Sequence, residues 1–86
     1  MIRDTSYRFG EWEFRASVDE VWDGRREAVI LLTGRQSFIL KQLIAAWPEY
    51  VPKIERMALY RLREKVGSEL IIIDRRGYRF NPEAVL

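Results

Sequence analysis

The chain has no cysteine and no histidine. The first absence excludes disulfide staples and thiolate metal sites. The second removes the usual zinc ligands and the commonest general base. No internal repeat or low-complexity tract divides the sequence. No apolar run approaches the roughly 20 residues that cross a bilayer. The N-terminal stretch is charged and lacks the apolar core of a secretory signal. A cytoplasmic protein without metal or cofactor, and without membrane contact, is expected. Ser6, Ser17, Ser37 and Ser68 have no histidine to act as base, and Asp19 with Glu20 and Asp23 with Glu27 read as surface charge in turns or strands. No enzyme is expected.

What is present is enough for one small core. Of 86 residues, 48% are hydrophobic and 13% aromatic, which supports a single domain over 1–86 of modest stability. The formal net charge of +2 says little by itself, but its distribution is uneven. Residues 1–51 hold seven Lys and Arg against eight Asp and Glu; residues 52–86 hold eight against five, and six of those eight are arginine. Basic character gathered in one part of a chain suits a binding face, with a plainly solvated helix face as the bland alternative.

Tyr7 to Leu32 is rich in aromatic and β-branched residues. Phe9, Trp12, Phe14 and Ala16 suggest one strand region, Val18 to Trp22 a second and Ala28 to Leu32 a third. Gly10 marks a break, and Asp23-Gly24 is a hairpin turn signal. A small antiparallel sheet over about 7–32 is expected. Thr33-Gly34-Arg35-Gln36 is a capping-box pattern that opens a helix. Phe38, Ile39, Leu40, Leu43, Ile44 and Trp47 give it a wide apolar stripe, so a core helix is expected over about 34–47, stopped by Pro48. Pro52 suits the first turn of a second helix, over about 52–66. Ile54, Ala58, Leu62 and Val66 form its inward stripe, flanked by Met57 and Leu59, and Gly67 is a natural end. Leu70 to Ile73, the turn Asp74-Arg75-Arg76-Gly77 and Tyr78 to Phe80 read as a β-hairpin over about 70–80. Asn81-Pro82 ends it, and Glu83 to Leu86 reads as a loose tail.

A basic helix leading into an arginine-tipped hairpin suits a DNA duplex, since a helix fits the major groove. Arg56, Tyr60 and Arg63 fall at helical spacing on one exposed face with Lys53. Arg can grip a guanine edge or a phosphate, and Tyr60 can touch a phosphate or a thymine methyl; the alternative for Tyr60 is a half-buried aromatic against the hairpin. Lys53 would lie near the helix N-terminus, where backbone N–H groups favour phosphate. Arg75 and Arg76 at the hairpin tip could reach a neighbouring groove or backbone, or be merely solvated. Tyr78 and Phe80 read as packing residues.

The order sheet, helix, helix, hairpin is a winged-helix layout, α+β in class, with an N-terminal antiparallel sheet, two main helices and a C-terminal wing. It resembles the DNA-binding effector domain of OmpR/PhoB-type response regulators. The resemblance rests on Leu32-Thr33 with Gln36, followed by Leu40 and Leu43; on Arg61-Leu62-Arg63-Glu64-Lys65-Val66; and on Gly77-Tyr78-Arg79-Phe80. It covers about residues 7–80. It implies double-stranded DNA binding with the second helix in the major groove, and adds Arg61 and Arg79 to the candidate DNA-binding residues, while Arg61 and Lys65 could be partly structural. Three departures stand out. No receiver domain is present, so phosphorylation control within the chain is not expected. Only Trp47 to Pro52 separates the two helices, where the family fits another helix and a loop implied in contacting RNA polymerase. The wing has Arg75 where a glycine is usual and Asp74 where arginine is common, and Asp74 could cap the turn.

The expected function is that of a small stand-alone transcriptional regulator, with two copies on half-sites where specificity requires them. The alternative is a winged helix turned to protein recognition: an adaptor or phage-type factor that binds RNA polymerase or another host protein.

Overall fold

A computed structural model describes residues 6–86. Four short strands form an antiparallel meander in the order β1-β2-β3-β4: Ser6–Phe9, Trp12–Arg15, Glu20–Asp23 and Ala28–Leu31. Two helices follow, α1 (Gly34–Ala46) and α2 (Arg56–Val66), and then a hairpin of β5 (Ile71–Asp74) and β6 (Gly77–Phe80). The class is α+β.

The sheet departs from its expected strands in two places. The first aromatic region is two strands, because Gly10, at φ +59°, makes a two-residue turn that pairs Phe9 with Trp12. Val18 is not in a strand; it is exposed in a 3-10 turn, Ala16–Val18, and β3 starts at Glu20. Alternation then sorts the side chains. Tyr7, Phe9, Trp12, Phe14, Val21, Asp23, Ala28 and Ile30 share the inner face through their cross-strand registers. Trp12, Phe14 and Val21 are fully buried there. Phe80 of the hairpin meets Phe9 and Trp12 at ring-centroid distances of 5.0 and 5.7 Å, tilted as aromatic pairs prefer, so the sheet and the hairpin share one core.

The capping box at α1 is present in full. The Gln36 N–H donates to Thr33 Oγ1 at 3.1 Å, and the Thr33 N–H donates to Gln36 Oε1 at 2.9 Å. Helix α1 ends at Ala46, and Trp47 before Pro48 is extended (ψ 136°). Ile39, Leu40 and Leu43 point inward, whereas Phe38 is 67% exposed and Trp47 45%, outside the stripe they were expected to join.

Helix α2 starts at Arg56, not at Pro52. Val51 forms a β-bridge with Tyr78, exchanging both backbone hydrogen bonds at 2.7 and 3.0 Å, and this holds the connector extended. Glu55 then caps the helix by accepting from the Ala58 N–H at 3.2 Å. The delayed start leaves Ala58, Leu59, Leu62 and Val66 inside and Met57 62% exposed. Residues 47–55 contain no helix, only a turn closed by the Glu49 N–H on the Ala46 carbonyl.

Leu70 belongs to a 3-10 turn, Ser68–Leu70, and the hairpin proper begins at Ile71. Gly77 has φ +120°, and a Cβ there would run into the Val51 carbonyl, so the hairpin seats against the connector only because this residue is glycine. The expected loose tail is instead a 3-10 segment, Pro82–Val85, with Pro82 and Val85 buried. It packs over the β1–β2 turn, where the Val85 carbonyl lies 2.6 Å from the position of a Cβ on Gly10.

Candidate nucleic-acid interface

The solvent-facing stripe of α2 carries Arg56, Tyr60 and Arg61 with Met57, and Glu64 lies one turn further on. Arg56 and Arg61 have no hydrogen-bond or ion-pair partner among the described residues. Tyr60 is partly exposed, beside an open depression of about 370 Å³ that it lines with Arg63, Glu64 and Ser68.

Arg63 does not join this stripe. Its guanidinium turns back, and Nε donates to the carbonyls of Ser68 and Ile71, each at 3.2 Å. It thereby ties α2 to the first residue of the hairpin. Lys65 is structural in the same sense: Nζ donates to the Leu31 carbonyl at 3.0 Å and to Gln36 Oε1 at 2.8 Å, joining α2 to the end of the sheet and to the α1 cap. Lys53 is exposed but does not sit at a helix N-terminus. It lies in the extended connector, facing α1, and the N-terminus of α2 is occupied by the Glu55 carboxylate, which opposes rather than attracts phosphate.

The hairpin tip is a compact charged cluster. Asp74 Oδ1 accepts from the Arg76 N–H at 2.7 Å, so the acid caps the turn, and Oδ2 accepts from Arg76 Nη2 at 3.2 Å. The Arg76 backbone N–H, together with the Tyr50 hydroxyl and the Arg76 guanidinium, holds the Asp74 carboxyl below its ordinary range, and Asp74 in turn raises Arg76. Arg76 stacks on the Tyr50 ring at 4.3 Å from its centroid and donates to the Tyr50 hydroxyl at 3.2 Å. Arg79 approaches the same ring at 5.7 Å, half-buried, with Nε enclosed and without an acceptor among the described residues. Arg75 is exposed at the apex with no partner among the described residues. Of the eight candidate side chains, Arg56, Tyr60, Arg61, Arg75 and Arg76 thus face outward on α2 and the tip, while Arg79 is half-buried beside Tyr50, Arg63 turns back to the hairpin backbone and Lys53 lies in the connector.

Two features escaped sequence reasoning. Tyr50 is the platform for Arg76 and Arg79, yet nothing in its spacing marks it. The other is Asp23, read as surface charge and in fact fully buried. Oδ1 accepts from the Arg25 N–H and Nε, and Oδ2 accepts from Arg25 Nη2 at 3.1 Å and Arg26 Nε at 2.9 Å. Arg25 Nη1 reaches on to the Ala84 carbonyl at 2.8 Å, and Arg26 Nη2 to the Lys65 and Val66 carbonyls at 3.4 and 3.5 Å. One carboxylate therefore links the β3–β4 turn, the C-terminal end of α2 and the last residues of the chain. Burial pushes the Asp23 carboxyl up, but hydrogen bonds from Arg25 and Arg26 and the charge of Arg25 outweigh it and hold it below the usual carboxylate range. The adjacency of Asp23 to two arginines was the available signal.

No family model, curated protein or solved structure matches the chain. Among the described residues no helix is long and apolar enough to cross a membrane, and no group of three or more acidic, cysteine or histidine side chains is placed to hold a metal.

Proposed function

We propose that the chain is a winged-helix module that binds double-stranded DNA, with α2 entering the major groove and the β5–β6 tip resting on adjacent backbone, and that it serves as a small transcriptional regulator. The observation that carries this reading is a set of guanidiniums without partners among the described residues, Arg56 and Arg61 on the outer stripe of α2 and Arg75 at the tip, with Arg76 held outward on Tyr50. Cations left without protein partners on a helix and a neighbouring hairpin are what a phosphate-lined groove requires. Tyr60 sits between the two helix arginines and supplies an apolar and hydroxyl contact to a base edge or sugar. Arg63, Lys65 and the Asp23 cluster fix the angle between α2, the hairpin and the sheet.

With about four phosphate contacts the logarithm of affinity falls with the logarithm of salt at a slope of about −3.5. A single module of this kind binds weakly at physiological salt, and specificity comes from two copies on spaced half-sites. Fluorescence anisotropy of a labelled mixed-sequence duplex at two salt concentrations tests the proposal. Salt-sensitive binding that is lost on combining Arg56→Ala, Arg61→Ala and Arg75→Ala supports it. No binding at low salt rejects it and leaves recognition of a protein partner as the reading.

A further inference from the structure

Helix α1 contains two cations, Arg35 and Lys41, and no carboxylate. Its outward side carries Arg35, Lys41 and Gln42, with one large apolar side chain among them. Phe38 stands there 67% exposed. Beside it runs a groove of about 420 Å³, walled by Phe38, Ile39 and Gln42 of α1 and by Lys53 and Ile54 of the connector. The ion pair of Arg35 Nη1 with Glu55 Oε2, at 3.3 Å, closes one end. Glu55 is doubly engaged there, by Arg35 and by the Ala58 N–H, so its charge is largely neutralised within the protein. Lys53 on the connector wall and Lys41, one helical turn from Phe38, have no partner among the described residues.

We propose that this groove docks a short acidic amphipathic segment of a partner protein, with apolar side chains seated on Phe38 and Ile54 and carboxylates directed to Lys41 and Lys53. Charge complementarity selects the occupant: the unpaired charge lining the groove is Lys53, Lys41 follows one turn after Phe38, and the floor is apolar. A helix presenting anchors at every third or fourth position fits such a groove. A phosphate backbone fits it less well, because an exposed phenyl ring and an apolar floor gain little from phosphate. The groove is lined from α1 and the connector, and none of Arg56, Tyr60, Arg61, Arg75 or Arg76 lines it, so the inference stands or falls independently of duplex binding.

A displayed library of random peptides about 15 residues long, enough for four helical turns, is selected on the intact chain, with Phe38→Glu as the counter-selection target. Phe38 is exposed, so this variant retains the fold, which amide NMR dispersion checks. The expected result is enrichment of peptides that combine helically spaced apolar residues with Asp or Glu. The enriched peptides bind Phe38→Glu, and a Lys41→Glu/Lys53→Glu variant, at least about tenfold more weakly, and shift the backbone amides of Phe38, Gln42 and Ile54. Four results overturn the proposal. The first is no enrichment over Phe38→Glu, and the second is enriched peptides without acidic residues. The third is a wild-type dimer that Phe38→Glu dissociates, which makes the occupant a second copy. The fourth is unlabelled duplex that itself moves those same amides and displaces the peptide, which makes the groove a nucleic-acid contact.

Discussion

Two carboxylate–arginine clusters in this small domain look alike in composition and differ in what they hold. Asp23 is sealed from solvent and bridges three distant parts of the chain through Arg25 and Arg26. Asp74 sits at an exposed hairpin tip and meets Arg76, two residues on, and the Tyr50 hydroxyl. Removing a buried carboxylate deletes the acceptor that joins Arg25 and Arg26 and leaves the cavity it filled, although the two guanidiniums themselves reach solvent. An exposed one is screened by water and salt, and its role is to fix a local shape. The first cluster orients the elements; the second holds Arg76 outward where a ligand can meet it.

The largest expected effect follows from that contrast. Asp23→Ala destabilises the domain by about 3 kcal/mol, a substantial share of the stability of a chain this size, whereas Asp74→Ala leaves the thermal midpoint where it was. Urea and thermal denaturation of the two variants side by side check this. Acid separates the same two sites. Asp23 binds its proton less readily folded than unfolded. Its contribution is therefore complete above the ordinary carboxylate range, about pH 4, and is lost as pH falls toward the lowered folded value. Asp23→Asn flattens that part of the stability profile.

Arg63 comes next. Replacing it with alanine removes its hydrogen bonds to the Ser68 and Ile71 carbonyls and costs about 1–2 kcal/mol by denaturation. Thr33→Ala, which breaks the capping box of α1, costs about 1 kcal/mol in the same assay. The smallest effect is on binding alone. Asp74→Asn keeps an oxygen for the Arg76 N–H and removes a negative charge from the tip, so duplex affinity rises by roughly twofold to fivefold, the range of a surface ion pair, with no change in melting.

Much of the architecture is legible in local signals. Thr33 and Gln36 announce a helix start through their own two hydrogen bonds. Gly77 marks a hairpin because its positive φ excludes other residues. Asp74 caps its turn as its position suggests. The misplaced features are those decided by contacts distant in sequence. Pro52 permits a helix start, but Val51 is paired with Tyr78 on the hairpin, and the helix waits until Glu55. Phe38 fits an apolar stripe wider than the face α1 actually buries. The C-terminal end is ordered because Pro82–Val85 packs against the Ser68–Leu70 turn and Val85 meets the β1–β2 turn, which no local pattern encodes. For the site, helical spacing puts Arg63 on the same side as Arg56 and Tyr60, yet its long side chain bends back to the hairpin backbone. Asp23 had the opposite fate, since a charge in a turn looks solvated until the arginines beside it enclose it.

Duplex binding as proposed belongs to the free arginines of α2 and the hairpin tip, and not to the tied ones. The salt dependence of duplex affinity for the wild type, Arg56→Ala and Arg63→Ala separates the two sets. The expected wild-type slope is about −3.5, lowered in magnitude by about one unit in Arg56→Ala and unchanged in Arg63→Ala. A slope that falls for Arg63→Ala and not for Arg56→Ala, or no salt-dependent binding at all, would contradict this division.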